Sequence, residues 1–85
     1  MYYVYILKLS DAELYTGYTR DLKNRKKKYD SGSVKSTKNK RPLSLVHYEA
    51  YLLESDARRR KKYLKTTEGK YFLKKQLKDL FEKIK

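Results

Sequence analysis

Residues 2 to 8 run Tyr-Tyr-Val-Tyr-Ile-Leu-Lys, rich in aromatic and β-branched types, which predicts a strand. Ser10-Asp11-Ala12 reads as a turn that returns the chain antiparallel into a second strand over residues 13 to 18. Alternation there places Leu14, Thr16 and Tyr18 on one face and Tyr15, Gly17 and Thr19 on the other. In such a hairpin Tyr5 and Tyr15 come near each other on one face. Thr19 or Asp21 is the cap of a first helix from about Asp21 to Tyr29, whose stripe is Leu22, Arg25, Lys26 and Tyr29. Asp30-Ser31-Gly32-Ser33 ends it, and a polar basic loop follows from Ser33 to Arg41. Pro42 marks entry to a third strand, roughly Ser44 to Leu52. Ser55 or Asp56 caps a second helix over about 57 to 65, with Ala57, Lys61 and Leu64 on one stripe. Gly69 then breaks the pattern. A third helix carries an apolar stripe of Leu73, Leu77, Leu80, Phe81 and Ile84, with Lys74, Lys75 and Lys78 outside it. The order β-β-α-β-α-α predicts an α+β domain: a small three-stranded antiparallel sheet flanked by helices.

With 85 residues the chain is read as one domain, residues 1–85, and with 39% hydrophobic and 39% charged residues its core must be small. The absence of cysteine excludes disulfides and thiolate metal sites. Met1 leads into a tyrosine-rich strand without a basic leader, and no apolar run is long enough to span a bilayer. The expectation is a cytoplasmic protein.

Charge changes the picture most. Lys and Arg number 23 against 10 Asp and Glu, a formal net charge of +13. An excess this large in so short a chain points to a polyanionic partner, a nucleic acid rather than a membrane, since no basic stretch has a broad apolar opposite face. The stretch Tyr15-Thr16-Gly17-Tyr18-Thr19-Arg20-Asp21-Leu22-Lys23-Asn24-Arg25 is where such a partner would meet the fold. Gly17 lets a phosphate or another backbone approach closely. Arg25, on the sheet-facing stripe of the first helix, is oddly placed for a solvated charge and suits an anion held between strand and helix.

Tyr3-Val4-Tyr5 and Tyr15-Thr16-Gly17, followed by Arg25, resemble the signature of the GIY-YIG nucleases in their small, single-domain bacterial form (UPF0213-like), in which Tyr3 stands at the first glycine of the family name. The resemblance continues through Ser36-Thr37-Lys38, Arg41-Pro42-Leu43, Leu45-Val46-His47-Tyr48-Glu49 and Asp56 to Lys65, nearly the whole chain. It implies an endonuclease that hydrolyses phosphodiesters, of DNA more than RNA, with Mg²⁺ or Mn²⁺. Tyr5 would take a proton during attack on phosphate, with Tyr15 as its hydrogen-bonding partner. Arg25 would bind the scissile phosphate and stabilise its charge. Tyr29 stands where many members place a histidine. Gly17, Arg20, Lys26, Lys27, Lys28, Lys35 and Lys38 form the expected nucleic-acid surface. His47, a lone strand histidine, reads as structural.

Lys61 departs from the family. The pattern Arg59-Arg60-Lys61-Lys62-Tyr63-Leu64-Lys65 puts the metal-binding glutamate at position 61. An ammonium does not ligate Mg²⁺ and repels it, whereas it can neutralise a phosphate. Glu54, two turns back, and Glu49, in the third strand, are substitute ligands; otherwise position 61 is itself altered. Two functions follow: a GIY-YIG endonuclease impaired at Lys61, or a catalytically inert nucleic-acid-binding module on the same fold.

Overall fold

β1 (Tyr2–Lys8) is the middle strand of a three-stranded antiparallel sheet, with β2 (Leu14–Thr19) on one side and β3 (Ser44–Tyr51) on the other. The structure, a computed structural model, describes residues 1–84. The sequence of β1 explains its central place. Val4, Tyr5, Ile6 and Leu7 are all buried, so both faces of this strand are covered. α1 (Leu22–Asp30) lies over Tyr5 and Leu7; α2 (Glu54–Leu64), α3 (Thr67–Gln76) and α4 (Lys78–Lys83) lie over Val4 and Ile6.

Two small cores result, one on each face. Tyr5, Leu7, Leu9, Tyr29 and Leu43 form the core under α1. Val4, Ile6, Ala57, Leu64 and Leu73 form the other, with Leu77 and Phe81 packed at its margin. The α+β class, the sheet and the strand bounds match the expectation closely. The β1–β3 ladder slips between Ile6 and Leu7, leaving Val46 without a partner, so Leu45 and Tyr48 face α1 while His47, Glu49 and Tyr51 face α2.

The helices differ from the sequence reading in three places. α2 begins at Glu54, ahead of Ser55 and Asp56, and has no side-chain cap; Glu54 and Asp56 in its first turn favour the positive end of the helix dipole instead. Gly69 does not break a helix but lies buried inside α3, where a Cβ would meet the Tyr63 carbonyl oxygen at 2.0 Å. α3 is capped by Thr66, whose hydroxyl accepts from the Gly69 amide at 3.0 Å. The expected single C-terminal helix is two, because Leu77 leaves helical geometry at φ −110° and ψ 43°. Asp21 is the α1 cap, accepting from the Asn24 amide at 3.1 Å. Among the described residues no helix is long and apolar enough to cross a membrane.

Candidate phosphodiester site

Between β2 and α1 the hydroxyls of Tyr5 and Tyr29 meet at 2.9 Å, with both residues almost fully buried. Tyr5 reaches this point from the central strand because its cross-strand neighbour is Gly17. A Cβ on Gly17 would come within 2.2 Å of the end of the Tyr5 ring. What the glycine admits is therefore the tyrosine ring, where the sequence reading expected a phosphate or backbone. Tyr29 reaches the same point because α1 turns its Leu22–Tyr29 stripe onto the sheet.

Tyr15 does not bond Tyr5. The register sets Tyr15 opposite Leu7, one inward position farther along the strand, and its ring instead packs edge-on against Tyr29 with centroids 5.9 Å apart. Tyr29 is the hydroxyl partner of Tyr5.

Arg25 closes the group. Its Nε donates to the Tyr5 hydroxyl at 3.5 Å, and its guanidinium carbon stands 5.1 Å over the Tyr29 ring. The bond to Tyr5 raises the arginine's pKa further above its ordinary value, so the charge stays fixed. Burial, followed by the bond to Tyr5, pushes the Tyr29 hydroxyl well above the ordinary tyrosine range. Tyr29 therefore stays neutral. The Tyr5 hydroxyl thus stands between the Tyr29 hydroxyl and the Arg25 guanidinium.

Arg25 also opens to solvent, lining with Thr19, Asn24, Lys27, Lys28 and Ser31 a cleft of about 570 Å³. Two expected phosphate contacts, Lys27 and Lys28, are thus on this cleft, while Lys26 is bridged to Asp30 at 2.7 Å. Lys35 and Lys38 are exposed in the segment after α1. Arg20 lies at the sheet margin, 5.6 Å over the ring of Tyr2 and lining a groove beside Tyr3.

α2 covers the far face, yet its Glu54-Arg58-Lys61-Lys65 flank runs along β2. Tyr18 donates a short hydrogen bond to Glu54, Arg58 stands 5.2 Å over the Tyr18 ring, and Lys65 stands 5.8 Å over the Tyr15 ring. Lys61, three residues after Arg58 and four before Lys65, falls between them on the same helical row. It is half-buried. Lys65 and Asn24 escaped the sequence reading. The signal for Lys65 was its i+4 spacing from Lys61.

The residues present do not fit a divalent metal. Magnesium and manganese take oxygen ligands, and Lys61 offers none. Glu49 lies on the Val4 face, away from Tyr5, so it is no substitute. Both its oxygens are engaged: Arg60 holds it bidentately at 2.8 and 3.1 Å, Tyr51 donates at 2.5 Å and His47 stands at 3.0 Å. Glu54 shares the α2 axis but is held by Tyr18 and by Arg58 at 3.6 Å. Among the described residues no three His, Cys, Asp or Glu side chains are grouped to hold a metal ion.

Comparison with known proteins supplies the context. Residues 1–78 match the GIY-YIG catalytic domain. UPF0213 proteins of Staphylococcus aureus strains Mu3 and N315 are each 44% identical over 66 residues, covering 76% of this chain and 80% of theirs. The solution NMR structure of a UPF0213 protein from Bacillus halodurans superposes with a TM-score of 0.58 at 36% identity, covering 91% of this chain and 86% of that one.

Proposed function

The chain belongs to the GIY-YIG family, and on that premise we propose that it is an endonuclease-type domain for DNA whose hydrolytic step is impaired by Lys61. The observation that carries the reading is the convergence of Arg25, Tyr5 and Tyr29 at the edge of a basic cleft.

The roles follow from the chemistry of each group. Arg25 presents a permanently charged guanidinium to a phosphodiester and offers planar donors to its non-bridging oxygens. Lys27 and Lys28 hold the flanking phosphates. Tyr5, in its phenolate form, takes the proton of the attacking water, and Tyr29, 2.9 Å from it, keeps its hydroxyl in place. Because Tyr5 is 2% exposed, Arg25 must swing from Tyr5 towards the phosphate for this to happen. Family nucleases add a divalent metal on a carboxylate. Here an ammonium occupies that row, so it favours phosphate binding over hydrolysis.

Lys61 also favours the second reading, an inert DNA-binding module. Both readings require Arg25. Equilibrium binding to duplex DNA in EDTA tests this: Arg25→Ala should weaken binding about 10- to 100-fold, the value of one charged hydrogen-bonding group. Wild-type affinity in Arg25→Ala would remove the phosphodiester site.

A further inference from the structure

Resting on that phosphodiester-binding reading, we infer that a second groove, on the opposite flank of α1, is a stacking site for an unpaired nucleobase of the same nucleic-acid strand. The groove holds about 580 Å³ and is walled by Tyr3, Tyr48, Leu22 and Leu45, with Lys23 and Lys27 on its rim.

The sheet geometry creates it. Tyr48 is the direct β3 partner of Tyr5, and Tyr3 lies on the same face of β1. Tyr3 and Tyr48 lie outside the core that α1 covers, which holds Tyr5 and Leu7. Tyr3 and Tyr48 meet at 62° with centroids 6.1 Å apart. Tyr48 remains 54% exposed, so a large part of an aromatic surface faces the groove without a partner. Leu22 and Leu45 add an aliphatic part to the lining.

This combination selects among occupants. An acidic peptide would answer the lysines but not the open ring surface beside Leu22 and Leu45. A lipid surface needs a convex apolar face rather than a groove. A nucleotide supplies a flat apolar base for the rings and a phosphate for the lysine rim. In duplex DNA the base faces are already stacked, so the base that fits is one from a single strand, a frayed end or a distorted site. Asp21 and Lys27 line both this groove and the Arg25 cleft. The two therefore meet at the N-terminal end of α1. One strand can place a phosphate at Arg25 and a neighbouring base against Tyr48.

The test compares a short single-stranded oligonucleotide with an abasic oligomer of equal length and charge, by fluorescence anisotropy in EDTA at fixed salt. The wild-type chain should bind the base-bearing oligomer about 5- to 100-fold more tightly, the range for stacking one or a few bases. Tyr48→Ala should collapse that ratio at least about fivefold while leaving the abasic affinity unchanged, and Tyr48→Phe should retain it. An unchanged ratio in Tyr48→Ala, or equal wild-type affinity for both oligomers, overturns the base site alone. Failure of the wild-type chain to bind the abasic oligomer in a salt-dependent way overturns the phosphodiester reading beneath it.

Discussion

The ring of Tyr5 occupies the space a side chain on Gly17 would fill: a Cβ there would lie 2.2 Å from its hydroxyl oxygen. The glycine is thus a condition for the tyrosine's position, and through it for the bonds to Tyr29 and Arg25. Gly17→Ala should destabilise the fold by about 1–3 kcal/mol, the usual cost of overpacking a rigid site. Urea melts of Gly17→Ala in the natural chain and beside Tyr5→Leu check the cause. The penalty should shrink when the phenol is absent; an equal penalty in both would locate the strain elsewhere.

DNA affinity should fall steeply with salt, since each phosphate contact releases counterions. Lys27 and Lys28 line the Arg25 cleft, whereas Lys26 is already paired with Asp30. Replacing Lys27 and Lys28 with Ala should lower the log–log salt slope by about 2 and weaken all sequences alike. Adding Lys26→Ala should change little more. A slope near zero for the natural chain would show that the basic surface does not bind nucleic acid.

The Glu49 network makes stability depend on acid. Burial alone would raise this carboxyl, but the bonds from Arg60, Tyr51 and His47 outweigh it and bring it down to about 2 from the ordinary 4.5. A lowered folded pKa means the stabilisation is complete above the unfolded value and is lost as pH falls from about 4.5 towards 2. The loss should be on the order of 3 kcal/mol. Melting temperatures of the natural chain and Glu49→Gln, taken from pH 6 to pH 2.5, read it directly. The variant should be less stable at pH 6 and show a flatter decline.

Much of this arrangement was legible in the residues. Unbroken β-formers gave β1, and the Leu22–Tyr29 stripe turned Arg25 and Tyr29 inward. Tertiary contacts decided the rest. A lone glycine reads as a helix breaker, yet Gly69 sits within α3 because only a glycine lets α3 approach the end of α2. The pairing of Tyr15 with Tyr5 rests on their shared strand face and on the family resemblance. Pairing also depends on register, which the hairpin turn sets, and the register brings Gly17 to Tyr5. Glu49 reads as a substitute metal ligand in the sequence because its partner Arg60 lies in a different element.

The C-terminal stripe gives a graded prediction. Leu73 is buried in the α2 core, while Leu77 is half-buried at the break between α3 and α4. Leu73→Ala should cost about 2–5 kcal/mol and Leu77→Ala distinctly less. Equal melting temperatures for the two variants would contradict this division of the core.

In the proposed reading, Lys61 is where binding and hydrolysis part. The direct measurement is nicking of supercoiled plasmid with Mg²⁺ or Mn²⁺ by the natural chain and by Lys61→Glu. The account predicts little or no nicking by the natural chain. It predicts measurable nicking by Lys61→Glu that EDTA stops and Tyr5→Phe abolishes, together with weaker metal-free DNA binding by the glutamate variant. Efficient, EDTA-sensitive nicking by the natural chain would contradict it.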